Sequence, residues 1–198
     1  MNMPEEVCLT DHIRKILRER KPQLIPDDKS KYRHAGVLIP LFNDNGVCRV
    51  LFTRRTDTVA HHKGQISFPG GRIDEEDKSV EDTALRETYE EIGVYREQVD
   101  ILGRIDDTLT MVSNFVVHPF VGLIPYPDDL SLNRAEVDSI IKVPLSRFFP
   151  ENIKEKMHLV EYDGMTLNTL GFKYRDDLIW GATAKIMDNF IKIIIEHL

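Results

Sequence analysis

Glu87, Glu90 and Glu91 stand at i, i+3 and i+4 in the run Leu85-Arg86-Glu87-Thr88-Tyr89-Glu90-Glu91-Ile92-Gly93-Val94. On a helix this spacing places three carboxylates on one arc beside the apolar face, where like charges repel. A hard divalent cation held by carboxylate oxygens offsets that repulsion, and such donors select Mg²⁺ or Mn²⁺ over zinc. The same cation neutralises phosphoryl oxygens and makes a water nucleophilic, the two requirements for hydrolysing a diphosphate. Arg86 can hold a neighbouring carboxylate through a bidentate pair. Glu90-Glu91 alone would read as a solvated helix face. Here the double glycine Gly70-Gly71, the Arg86-Glu87 pair and Gly93 accompany them at one joint spacing, which favours a site.

The element that must present these carboxylates is a helix over 79–92. Val80, Ala84, Thr88 and Ile92 recur at i+4 steps, Ser79 is a cap residue with Asp82 three positions on, and Gly93 is a stop. Upstream, 34–42 and 47–53 are β-rich runs joined by Asn43-Asp44-Asn45-Gly46, whose Asn and Gly accept the positive φ of a hairpin turn. A polar loop to Lys63 follows, then a short extended run at 65–68 closed by Pro69-Gly70-Gly71. Downstream, 99–105, 115–124, 137–143, 158–162 and 166–174 read as strands, and 179–195 as a closing helix. At the front, Ile13, Ile16 and Leu17 recur at helical spacing over 11–20, and 22–31 reads as a linker. The expected class is α/β, a sheet with helices packed against it. The expected division is an N-terminal helix and linker over 1–31 and one domain over 32–198.

Length and composition agree with a single core. The chain has 198 residues, 41% hydrophobic and 30% charged, and a net charge of −7. That acidity offers no basic footprint for polymeric nucleic acid, so an anionic substrate would be met by metal ions or a few local Lys and Arg side chains. Two cysteines, Cys8 and Cys48, are too few for a disulfide framework or a thiolate zinc site. Residues 1–10 lack the pattern of a secretory leader and no run is long enough to span a bilayer, so the expectation is a cytoplasmic protein without membrane contact.

The carboxylate segment resembles the Nudix box, G-x5-E-x7-R-E-U-x-E-E-x-G-U with U aliphatic. Residues 86–94 match its second half, apart from Thr88 in an aliphatic place. The interval from Gly71 to Arg86 is one residue longer than the general box, and Asp77 and Lys78 stand near the place of its early glutamate. The coenzyme A diphosphatase branch of that family is similar in the same extra residue. It also carries L-L-T-x-R-[SA]-x3-R-x3-G-x3-F-P-G-G before the box. Leu51-Phe52-Thr53-Arg54-Arg55-Thr56 through Gly64-Gln65-Ile66-Ser67-Phe68-Pro69-Gly70-Gly71 follows it, with departures at Phe52, Thr56 and Ala60, where the pattern has arginine. Further stretches at 133–137, 143–145 and 180–184 are similar to the same branch, so the resemblance spans roughly 36–190.

The resemblance implies a Nudix α/β/α sandwich, a mixed β-sheet between helices with the box as a loop-helix-loop. It implies Mg²⁺ or Mn²⁺ held by Glu87, Glu90, Glu91 and the Gly70 carbonyl. Glu87 or Glu136 would act on the attacking water, with Arg86 beside them, although Glu136 reads equally as a surface carboxylate. Arg55 would contact phosphate, and Lys63 reads equally as a compensating cation or a solvated loop residue. His118, inside an apolar strand, reads as a hydrogen-bonded packing residue and Trp180 as core. The implied partner is a small nucleotide diphosphate, coenzyme A or a derivative giving 3′,5′-ADP and 4′-phosphopantetheine. ADP-ribose, dinucleotides and a non-catalytic nucleotide-sensing role are the rival readings, and a homodimer is left open.

Overall fold

The opening helix forms over Thr10–Glu19 (α1) and buries Ile13, Ile16 and Leu17 against the sheet. The structure is a computed structural model describing residues 10–26, 31–56, 64–110, 114–153, 156–162 and 164–197. Cys8, Ala60 and Lys63, singled out in the sequence, lie outside the described residues. After α1 the chain enters β1 (Arg33–Asp44), turns back through Asn45 and Gly46 at φ 51° and 92°, and returns as β2 (Val47–Arg55). Consecutive positive φ values are what a two-residue hairpin turn demands.

The middle of the chain supplies β3 (Ile66–Ser67), β4 (Gly70–Arg72), α2 (Val80–Ile92), β5 (Asp100–Arg104), β6 (Thr108–Leu109), β7 (Phe115–Leu123) and β8 (Val137–Pro144). These strands build one mixed sheet. β1 and β7 run parallel down its centre, from Arg33 opposite Phe115 to Leu41 opposite Leu123. β2 and β4 pair antiparallel with β1, β5 and β6 with β7, and β3 and β8 with β2. A separate antiparallel sheet follows, from β9 (Met157–Tyr162), β10 (Met165–Tyr174) and β11 (Asp177–Trp180), before α3 (Gly181–Ile195).

Period-two alternation divides the core between the two faces of the main sheet. Leu38, Phe42 and Leu51 face one side and pack with Ala84 and Ile92 of α2. Ile39, Leu41, Val50 and Phe52 face the other and pack with α1 residues and with Met187, Phe190 and Ile194 of α3. The expected layering of helices about a mixed sheet is therefore present. Among the described residues, no helix is long and apolar enough to cross a membrane.

One element differs from the sequence reading. The closing helix begins at Gly181, not at Ile179, because Ile179 and Trp180 lie in β11. Arg175, at φ 56°, turns the chain so that Asp177–Trp180 folds back on β10, with Ile179 fully buried opposite Phe172. A short apolar run ahead of a helix has no periodicity that separates strand from helix, so pairing with β10 decides it. The strands β4, of three residues, and β6, of two, are likewise too short to leave a pattern.

Candidate active site

α2 is set by its caps. The Ser79 hydroxyl accepts the Asp82 N–H at 3.1 Å, and Gly93, at φ 75°, donates its N–H to the Tyr89 carbonyl at 2.8 Å. The helix sits close on β1 because Gly36 has no side chain. A Cβ there would stand 2.3 Å from the Val80 carbonyl and 3.1 Å from the Thr83 Cβ. Close seating drives Glu91 into the interior, where it is 2% exposed. Glu87 is part-buried and Glu90 is on the rim, at 16% and 50% side-chain exposure.

The loop between β4 and α2 organises Arg86. Its Nε and Nη2 donate to the two oxygens of Asp77 at 2.9 and 3.0 Å, and its Nη1 donates to Glu87 at 2.9 Å and Glu90 at 3.1 Å. Asp77 also accepts from the Asp74 N–H at 2.9 Å and the Thr83 hydroxyl at 2.8 Å. Hydrogen bonding to Arg86 is the largest influence on Asp77, whose pKa falls to about 2 despite burial. The bidentate partner of Arg86 is thus Asp77 on the loop, and the helix glutamates take single contacts. The sequence reading placed Asp77 near the box's early glutamate without giving it a role. The available signal was the demand of a planar guanidinium for two oxygens, nine residues away across a turn.

Glu91 is surrounded by site residues from other elements. The Thr53 hydroxyl of β2 donates to its Oε2 at 3.3 Å, and the Gly70 backbone contributes a hydrogen bond. Burial first, then the negative charges of Glu87 and Glu136, push its pKa up to about 8, against the opposing charge of Arg55. Glu87 is also raised, by burial and by Glu90 and Glu136, while Arg86 holds it down. Glu136 reaches this group from the turn before β8. Its carbonyl accepts the Thr56 N–H at 2.9 Å, and the Asn133 N–H bonds the Glu91 carbonyl at 3.0 Å, tying that turn to the end of α2. Gly71 completes the cradle, since a Cβ there would stand 2.3 Å from the Glu87 carboxylate.

The fold therefore gathers Gly70, Arg55, Arg86, Glu87, Glu90, Glu91 and Glu136, from four separate stretches of chain. Among the described residues, no group of three or more His, Cys, Asp or Glu side chains is placed to hold a metal ion. Glu87 and Glu90 are instead turned onto Arg86. The donor chemistry fits a hard divalent cation all the same. Several carboxylates raise one another's proton affinity in a part-buried cleft, and an oxygen-coordinated divalent cation relieves that condition.

The NUDIX domain family profile matches residues 32–160 of this chain, a span that includes α2 and every residue of this cluster. The chain belongs to the Nudix family. It is 37% identical over 166 residues to the Nudix hydrolase NudL of Photorhabdus laumondii, covering 78% of this chain and 81% of that protein. To the NudL of Pectobacterium atrosepticum it is 33% identical over 196 residues, 93% of each. Among solved structures, a MutT/nudix family protein from Enterococcus faecalis aligns with TM-score 0.52 over 96% of this chain and 70% of that one, at 13% identity. That likeness concerns the fold. As a Nudix hydrolase, the protein cleaves phosphorus-containing anhydrides in nucleoside diphosphate-linked substrates.

Proposed function

We propose that this Nudix hydrolase cleaves the diphosphate of coenzyme A or a derivative, with Mg²⁺ or Mn²⁺, to 3′,5′-ADP and 4′-phosphopantetheine. The observation that carries the reading is where the residues similar to the coenzyme A branch lie. Thr53 and Arg55 on β2, and Gly70 and Gly71 on β4, are the same residues that contact or face Glu91 and Glu87. The motif outside the box and the carboxylates inside it thus form one site.

When bound, a divalent cation supplies charge neutralisation at the diphosphate and a more acidic water. Glu87, Glu90, Glu91 and the Gly70 carbonyl would hold it. Asp77 fixes Arg86, and Arg86 holds Glu87 and Glu90 against mutual repulsion, so Arg86 acts as a positioning residue. Glu87 or Glu136 takes the proton of the attacking water, since the charges of both reach Glu91. Arg55, whose charge is directed at the same cleft, binds a phosphoryl oxygen and orients the substrate.

Chromatographic product analysis tests the reading, with coenzyme A, ADP-ribose and a dinucleoside polyphosphate incubated in parallel with Mg²⁺ and with Mn²⁺. Preferential release of 4′-phosphopantetheine is expected. Faster cleavage of ADP-ribose or the dinucleotide would discard coenzyme A and keep the hydrolase.

A further inference from the structure

A cavity of about 320 Å³ lies between the main sheet and the β9–β10–β11 sheet. Its walls are mainly apolar, from Val37, Phe68, Tyr162, Leu167, Trp180 and Ile186. Tyr162 and Trp180 meet edge to face with ring centroids 5.5 Å apart, which stiffens one wall. The Thr183 hydroxyl donates to the Ile66 carbonyl at 3.0 Å and fixes the start of α3 against β3. Arg55 and Gly70, both members of the carboxylate site, also line the cavity, so it opens where the scissile diphosphate would lie. A group attached on one side of that diphosphate is therefore within reach of it.

We infer that this cavity is the subsite for an uncharged, elongated, amide-bearing arm on one side of the diphosphate, the chemistry of a pantetheine chain. The inference rests on the coenzyme A reading and adds which half of the substrate goes where. Charge decides between the halves. A 3′,5′-bisphosphate carries an additional phosphate monoester, and burying an anion without paired cations is far costlier than burying an amide with a hydrogen-bond partner. Among the described residues lining the cavity, the full charges are Arg55, which faces Glu91, and Lys185, which is solvent-exposed on α3. Gln65, Ser67, Thr110, Thr169 and Thr183 place polar groups at intervals along walls that are mainly aliphatic or aromatic, a pattern that suits widely spaced amides on a flexible chain. The adenosine bisphosphate accordingly lies outside the cavity.

Trp180 is the one tryptophan of the chain, so its fluorescence reports directly on this wall. The 198-residue protein in EDTA is titrated with 4′-phosphopantetheine and, separately, with 3′,5′-adenosine bisphosphate. A saturable change in Trp180 emission with the first and none with the second is expected. A response to the bisphosphate alone, or to neither ligand, overturns the assignment. Because the titration needs no turnover, its failure is distinct from failure of the coenzyme A reading, which product analysis detects. In Leu167→Tyr, which adds bulk from the half-buried strand β10, KM for coenzyme A rises at least about tenfold with a smaller change in kcat. An unchanged KM in that variant, folded by circular dichroism, also overturns the assignment.

Discussion

Arg86 is the residue around which the glutamates are arranged, and Asp77 is what arranges Arg86. Asp77 spends both oxygens on the guanidinium and is nearly buried, with 4% side-chain exposure. Asp77→Asn keeps the volume but removes a charge-assisted bidentate pair, so it should lower stability by about 1.5–3 kcal/mol. It should also cut kcat by about 10- to 100-fold, the range for residues that orient metal ligands. Denaturant unfolding and steady-state kinetics check this, and wild-type values for both would mean that Glu90 and Glu87 alone suffice to hold Arg86. The carboxylates were legible from spacing alone, since i, i+3 and i+4 leave them no choice of face. Asp77 was not, because its role depends on a loop path that places residue 77 beside residue 86. The depth of Glu91 was also hidden, because Glu90 and Glu91 look alike in sequence and only the close packing of α2 on β1 buries one and leaves the other exposed.

At the scale of elements, α2 delivers the site and Gly36 sets how closely it approaches the sheet. A Cβ at Gly36 meets helix backbone, which cannot swing away as a flexible side chain could. Gly36→Ala should therefore destabilise the fold by about 1–3 kcal/mol, the usual range for overpacking, and lower kcat by displacing Glu87 and Glu91 together. Thermal unfolding reads the first effect as a Tm several degrees lower, and an unmoved Tm would place α2 farther from β1 than the structure does. The limits of α2 could be read from Ser79 and Gly93, because caps are local chemistry. The fate of 177–180 could not, because a strand is decided by a partner elsewhere in the chain. β11 matters here since it brings Trp180 to the cavity wall and leaves Gly181 to start α3.

Across the whole molecule, a charged cluster fastens the N-terminal segment to the sheet. Asp107 accepts from His118 at 2.9 Å, from Arg104 at 2.5 Å and from the Ile25 N–H at 2.9 Å, while Asp106 accepts from Arg20 and the Gln23 N–H. Burial works against the Asp107 charge, but these hydrogen bonds outweigh it and hold its pKa below the usual carboxylate range. His118 is thus the hydrogen-bonded packing residue that its place in an apolar strand suggested, also paired with His34 at 2.9 Å. A carboxylate with a depressed folded pKa stabilises fully above its unfolded value of about 3.9 and loses that contribution as pH falls through the folded value. Stability should therefore drop on acidification below about pH 4, and Asp107→Asn should flatten part of that limb while starting from a lower plateau. Urea midpoints across that range test this, and an identical acid slope in the variant would show that Asp107 is not the linked group.

The central claim is that the buried and part-buried glutamates of α2 form the hydrolytic centre. The decisive measurement is kcat with saturating Mg²⁺ for Glu91→Gln, alongside its Tm. Glu91→Gln keeps the volume and fixes as neutral a group whose charged form burial and two neighbouring carboxylates already disfavour, so the Tm should hold or rise. Turnover should fall by more than the roughly 10- to 100-fold expected for a supporting residue. A folded Glu91→Gln protein with wild-type kcat would contradict the account.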